Sequence, residues 1–205
     1  MSDTMRDPDT RRAAVGGVRR AGAMRAGPVP HVIRTVFEGR VFSVAVETIT
    51  LPNGHRLDAE IVRHPRSVVI VPIDDQGRVI LIRQYRHAVG RWLWELPAGS
   101  TGPGEHEQVA AARECQEEIG LVPTRLERLG ALFPTPGYCD EEMVFFRATG
   151  LREPGPGDPV AHADADEDIE PGAFTFDAAQ ALVAKGEIAD LKTVAGLALV
   201  SGASR

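Results

Sequence analysis

The sequence predicts an α/β domain carrying a small antiparallel β unit at its N-terminal end. Three observations point there: apolar runs of strand length bounded by turn residues, one strongly patterned helix in mid-chain, and an order that mixes strands with helices without a βαβ repeat or internal period. A chain of 205 residues is one domain's worth and is long enough to bury a sizeable core. Its 43% apolar and 25% charged residues are ordinary globular usage, which excludes wholesale disorder, and 21 Gly with 15 Pro point to many loops.

Residues 1–30 are mostly Arg, Ala, Gly and Asp, too poor in large apolar side chains to offset the entropy of ordering, so a disordered tail is expected. Three Asp in the first nine residues argue against a transit peptide, and Met24 is a second candidate start. From His31 the pattern turns strand-like. Val41 to Ile49 is β-rich, Pro52-Asn53-Gly54 is a turn, and Leu57 to Val62 is a second run, which together predict a small antiparallel unit over 31–63. The main domain is expected over 64–205. Ser67 to Ile73 and Arg78 to Gln84 flank the turn Asp74-Asp75-Gln76-Gly77 and predict a hairpin in a central sheet. Trp92 to Leu96 is a short strand, Glu105 to Ile119 a helix, Leu126 to Phe133 and Met143 to Ala148 strands, and Ala178 to Lys185 and Leu191 to Ser201 helices.

Charge and cysteine usage narrow the function classes. A formal charge of −6 with no basic stripe interleaved with aromatics disfavours a dedicated nucleic-acid binder, so an anionic substrate needs a local cationic patch or metal ions. No apolar run approaches the roughly 20 residues of a membrane span, and no signal-peptide core is present, so the chain reads as cytoplasmic. Cys115 and Cys139 are too few for a disulfide framework or zinc site and are expected as reduced thiols.

The helix Glu105 to Ile119 carries the chemistry. At 100° per residue, with Glu114 as zero, Glu118 falls near about +40°, Glu117 near about −60° and Arg113 near about −100°. Three carboxylates share one face, expected to look outward while Val109, Ala112 and Ile119 pack on a sheet. Gly120 fits the C′ position and Pro123 stops continuation. A solvated acidic face tuned by Arg113 is the plain interpretation of such a pattern, but the spacing overrides it. Gly99, Glu105, Arg113-Glu114, Cys115, Glu117-Glu118, Gly120 and Leu121 resemble the Nudix box, Gly-x5-Glu-x7-Arg-Glu-U-x-Glu-Glu-x-Gly-U with U a bulky apolar residue. All seven fixed positions match, and the chance of that is on the order of 10⁻⁶ at ordinary residue frequencies. Cys115 stands where an aliphatic residue is usual, which bears on packing more than on chemistry.

The resemblance implies a Nudix fold, a mixed β-sheet sandwiched between helices, and a hydrolase of diphosphates that works with two or more divalent ions, Mg²⁺ or alternatively Mn²⁺. Hard cations prefer oxygen ligands, and a cluster of Glu on a rigid helix suits them. The resemblance assigns Glu114 and Glu118 as metal ligands with the carbonyl of Ala98, Glu117 as a further ligand or catalytic partner, and Arg113 as the residue that orients the carboxylates. Gln84-Tyr85-Arg86-His87, Trp94-Glu95-Leu96-Pro97-Ala98-Gly99, Pro136-Gly137-Tyr138 and the tail Gly186-Glu187-Ile188-Ala189-Asp190 with Lys192-Thr193 look like the ADP-ribose (ADP-sugar) pyrophosphatase branch. That branch implies cleavage of ADP-ribose to AMP and ribose 5-phosphate by water attack on phosphorus. Another nucleoside diphosphate sugar, a dinucleotide or an oxidised nucleotide is the alternative within the class. A non-catalytic nucleotide-sugar sensor is the alternative outside it, disfavoured by the intact glutamates.

Arg86 offers a guanidinium fork to phosphate oxygens, against a plain role capping a strand end. Glu95 is a candidate for ribose or adenine hydrogen bonds, and Pro136 with Gly137 belongs to the loop that separates substrates. Trp92 and Trp94 share a strand face, where core packing is favoured over base stacking. Dimeric relatives use the N-terminal β unit to reach the partner's site, which implies a homodimer with Arg56 and Arg63 as substrate-binding residues. Finally, Asp158, Asp164, Asp166, Glu167, Asp168 and Glu170 form an acidic stretch with no Lys or Arg. A solvated loop is one interpretation. The resemblance implies a catalytic base here, matched best by Glu167 with Asp166 as the alternative.

Overall fold

The computed structural model describes residues 27–159 and 168–203. Strands β1 (Val32–Glu38), β2 (Ser43–Thr50) and β3 (Arg56–Arg63) form an antiparallel N-terminal sheet in that order. Its predicted turn is present, with Asn53 Oδ1 accepting from the His55 amide at 3.0 Å. The chain then runs through β4 (Ser67–Pro72), β5 (Val79–Arg86), β6 (Arg91–Glu95), β7 (Ala98–Ser100), α1 (Glu107–Ile119), β8 (Val122–Leu132), β9 (Met143–Arg152), β10 (Ile169–Phe174), α2 (Phe176–Lys185) and α3 (Leu191–Ala203). One sheet has the order β7-β4-β9-β8 and a second the order β10-β5-β6. The β4–β9 pair is parallel while its neighbours are antiparallel, so the first sheet is mixed.

Period-two alternation builds the layers. Val68 and Ile70 of β4 pack with Ala110 and Ala111 of α1, whereas Val69 and Val71 pack with Leu197 and Val200 of α3. On β5, Ile80 and Ile82 meet Cys115 and Ile119, and Val79 and Leu81 meet the α2/α3 side. The sheets are thus sandwiched between α1 and the α2/α3 pair.

Several expectations change. The hairpin over 67–84 has its turn, where Asp74 Oδ1 accepts from the Gln76 and Arg78 amides at 2.9 and 2.8 Å, but β4 and β5 lie in different sheets. Both edges of β4 are taken by β7 and β9, and both edges of β5 by β6 and β10, so only the bridge Ile73–Val79 joins them. Strands β7 and β10 have no counterpart in the sequence reading. Pro171-Gly172 inside β10 speaks against a strand, and is tolerated because β10 is an edge. Trp94 packs edge-on against Phe174 at 4.8 Å, whereas Trp92 is exposed, meeting Tyr85 edge-on and lying beneath the Arg83 guanidinium rather than entering the core. The tail expected over 1–30 falls outside the described residues as far as 26. No described helix is long and apolar enough to cross a membrane.

Candidate active site

Helix α1 begins two residues later than expected, with the His106 ring accepting from the Gln108 amide at 3.3 Å, and it ends on Gly120 in the left-handed region at φ 71°. Its inward face is the expected one only at Ile119. Val109 is 60% exposed, while Glu114 and Glu118 are buried beside Ala110, Ala111, Cys115 and Ile119. The small side chains on that face let the helix approach the sheet closely, and its carboxylates come down on β7. A Cβ at Gly99 would lie 2.0 Å from Glu114 Oε1, so only glycine accommodates this approach. Glu118 Oε2 accepts from the Ala98 amide at 2.9 Å.

Arg113 ties the cluster together. Its Nε and Nη2 donate to the two carboxylate oxygens of Glu105 at 3.0 Å each, and Nη1 donates to Glu114 and Glu117 at 2.7 Å each. Nη2 also reaches the Ser100 carbonyl at 3.2 Å. The bond from Arg113 holds the Glu105 carboxyl below its ordinary range, and Glu105 raises the guanidinium in return. Glu105 stands before the helix, where its Oε2 also accepts from the Gly102 amide at 2.8 Å. One arginine therefore fixes three glutamates and the strand beneath them. Burial pushes the Cys115 thiol up to about 12, so it is a packing residue; Cys139 is half-buried, and neither cysteine is disulfide-bonded.

Cations gather at Glu95, at the end of β6 just before β7. Arg86 Nε and Nη2 donate to Glu95 Oε1 and Oε2 at 2.9 and 2.7 Å, and Lys192 of α3 also donates to Glu95 Oε2. Burial is the largest influence on Glu95 and raises its pKa, but Arg86 and Lys192 together outweigh it and keep the carboxyl below its usual range. A cleft of about 180 Å³ is lined by Arg86, Ala98, Gly99, Ser100, Glu141 and Lys192 among others, so the cations share it with the β7 residues against which Glu114 and Glu118 rest. Ser67 Oγ donates to Glu141 Oε1 at 2.6 Å.

A second cavity, of about 340 Å³, is lined by Arg63, Glu47, Pro136, Tyr138 and Asp140. Arg63 Nη1 donates to Asp140 Oδ2 at 2.7 Å and Nη2 donates to Glu47. Pro136 and Gly137 sit in a turn closed by the Tyr138 and Cys139 amides on the Thr135 carbonyl. Arg56 stands at the opposite end of β3 from Arg63, about 23 Å away at strand rise, so one chain does not bring the two together. Glu167 and Asp166 lie outside the described residues, whose flanks are Pro159, accepting from Gln116 of α1 at 3.0 Å, and Ile169, paired with Gln84. Asp158, grouped with them in the sequence, is instead paired with Arg152 at 2.6 and 2.8 Å.

Lys192, Ser67 and Glu141 received no role in the sequence reading. Lys192 had a signal available, because Lys185 and Lys192 are the only lysines in a chain otherwise supplied with Arg. Ser67 and Glu141 had none, since they meet through the parallel β4–β9 pairing.

The NUDIX domain model matches residues 63–196, about two thirds of the chain, and spans every part of this cleft. The chain belongs to the Nudix family. It is 38% identical over 167 residues to the ADP-ribose pyrophosphatase of Mycobacterium tuberculosis, covering 81% of this chain and 79% of that protein. It is 34% identical over 158 residues to the ADP-ribose pyrophosphatase of Bacillus subtilis, covering 77% and 84%. A crystal structure of an ADP compounds hydrolase superposes with a TM-score of 0.75 at 26% identity, covering 88% of this chain and 96% of that one. This Nudix protein falls in the ADP-ribose pyrophosphatase branch and is a Nudix diphosphatase.

Among the described residues no group of three or more His, Cys, Asp or Glu side chains is placed to hold a metal ion by itself. The donor set is nevertheless that of a hard cation, because Glu114 and Glu118 offer carboxylate oxygens against the β7 backbone beside an open cleft. Mg²⁺ is commonly held by one or two carboxylates with the rest of its shell left to water and phosphate. The residues fit it.

Proposed function

We propose that this Nudix enzyme hydrolyses ADP-ribose to AMP and ribose 5-phosphate. The observation that carries the proposal is a juxtaposition at one cleft: Arg86 and Lys192, held by Glu95, line it together with Ala98-Gly99, against which Glu114 and Glu118 are seated. Glu114 and Glu118, with the Ala98 carbonyl and Glu117, would hold Mg²⁺ or Mn²⁺, which neutralises the diphosphate and lowers the pKa of attacking water when bound. Arg113 orients Glu114 and Glu117 through the bonds from its Nη1. Arg86 takes non-bridging phosphate oxygens, since its side chain is 40% exposed while Glu95 beneath it is buried. That burial, with both oxygens occupied, gives Glu95 the work of aiming cations rather than contacting ribose or adenine.

Glu167, or Asp166, accepts the proton of the water that attacks phosphorus as the bridging P–O bond breaks. Supporting this, the two described flanks of their segment lie on α1 and beside Gln84, two residues from Arg86. Arg63, Pro136 and Gly137 form the nucleoside side of the site, supported by their shared cavity or turn, and Arg56 serves a partner copy. Product analysis on ADP-ribose, other nucleoside diphosphate sugars, NAD and an oxidised nucleoside triphosphate with Mg²⁺ tests the reading. ADP-ribose should give the highest kcat/KM, with AMP and ribose 5-phosphate as products; an ADP-ribose rate no higher than its competitors overturns it.

A further inference from the structure

Lys192 is the second residue of α3, and its side chain is only 10% exposed. Its ammonium donates to Glu95 Oε2 and to Asp190 Oδ2, the latter at 3.1 Å. Two facts make this placement hard to explain as structural support. Arg86 alone already occupies both oxygens of Glu95, at 2.9 and 2.7 Å, so Lys192 is not needed to satisfy that buried carboxylate. A cation in the first turn of a helix also stands at the wrong end of the helix dipole. Asp190 offsets part of that by accepting from the Thr193 amide and hydroxyl at 3.0 Å each while it holds Lys192.

The order of the four charged groups is directional. Glu95 is 1% exposed, whereas Arg86 and Lys192 both line the cleft with Ala98 and Gly99. The carboxylate is buried beneath them, and the cations share their cleft with the β7 residues against which α1 sets Glu114 and Glu118. An ammonium carries three N–H donors, and among the described residues Lys192 directs two bonds, to Glu95 and Asp190. We infer that Lys192 is a second phosphate-binding residue, contacting a non-bridging oxygen of the substrate's diphosphate alongside Arg86, with Glu95 and Asp190 as the positioning residues that aim it. Arg86 supplies a planar fork from the end of β5, and Lys192 a point charge from α3. The inference rests on the proposed function only in taking the cleft as a diphosphate site.

Titration of α,β-methylene-ADP, a diphosphate without a hydrolysable bridge or distal sugar, into the full chain with Mg²⁺ tests it. Lys192→Met and Lys192→Gln should each raise the Kd of that probe by about tenfold or more, and Lys192→Arg by less than about threefold, as expected for loss and retention of a charge-assisted hydrogen bond. On the best substrate KM should rise in step for Met and Gln while kcat stays within about threefold. Lys192→Gln keeps a donor for Glu95, so it reports on phosphate binding if Lys192→Met does not fold. A probe affinity unchanged in Lys192→Gln, an equal loss in the Arg and Gln variants, or no binding of the probe by the wild type overturns the inference. Because the probe lacks the sugar, the outcome is independent of which nucleotide sugar the wild type prefers.

Discussion

Arg113 shows how much one side chain organises here: it holds Glu105, Glu114, Glu117 and the Ser100 carbonyl at once, so the acidic cluster is pre-set rather than assembled on binding. Glu118 belongs to the same cluster through the Ala98 amide. Replacing it with Gln keeps its shape and an acceptor but removes the charge, so turnover at saturating Mg²⁺ should fall by about 10²-fold or more while the thermal melt moves little. Steady-state kinetics beside a melt decide this, and near wild-type turnover would show that the buried glutamates serve packing alone. A loss of proton acceptor has a different signature. Glu167→Gln should lower kcat by roughly 10²-fold with KM nearly unchanged. Full turnover in that variant moves the base to Asp166 or to Glu117.

At the scale of elements, the site depends on a helix laid on a very short strand. Gly99 has an ordinary backbone conformation, so Gly99→Ala strains no backbone dihedral, yet its Cβ would displace the Glu114 carboxylate. Turnover should drop by about tenfold or more for a stability change of roughly 1 kcal/mol, the scale of a modest overpacking. Equal losses in melting temperature and in turnover relative to a surface control would contradict that reading. Much of this element was legible in advance, because the Gly99 to Leu121 spacing identifies the acidic helix and its caps from residue types alone. The inward face was not. Helical periodicity ranks Val109 and Ala112 as core and glutamates as surface, and that ranking fails where carboxylates are buried against backbone amides and an arginine. Pairing partners were also hidden: β4 and β5 have the length and turn of a hairpin, and only the competition of β7, β9, β6 and β10 for their edges separates them. The scarcity of lysine marks Lys192, but its contact with Glu95 was hidden for a related reason, since it spans 97 residues of chain.

For the whole molecule, the N-terminal sheet is asymmetric in what covers it. β3 is docked on the main domain, where the Val62 amide donates to the Tyr138 carbonyl at 2.7 Å and the Asp140 amide to the Val62 carbonyl at 3.2 Å. β1, the other edge, is exposed at every residue, and Val32, Ile33, Val36 and Phe37 with Val41 and Phe42 leave an apolar surface in water. An open edge strand with apolar side chains is a template for another chain unless it is covered. A second copy of this sheet is the proposed cover, and a symmetric dimer would also place Arg56 of one chain where the other can use it. Light scattering at micromolar concentration should give about 44 kDa, twice the 22.1 kDa chain, and a mass near 22 kDa removes the proposal. Phe37→Asp, which places a charge on that exposed edge, should shift the mass to the monomer. If the sites are shared between copies, turnover falls with dilution of Phe37→Asp in proportion to the dimer lost; a fully active monomer would mean that each cleft is complete within one chain.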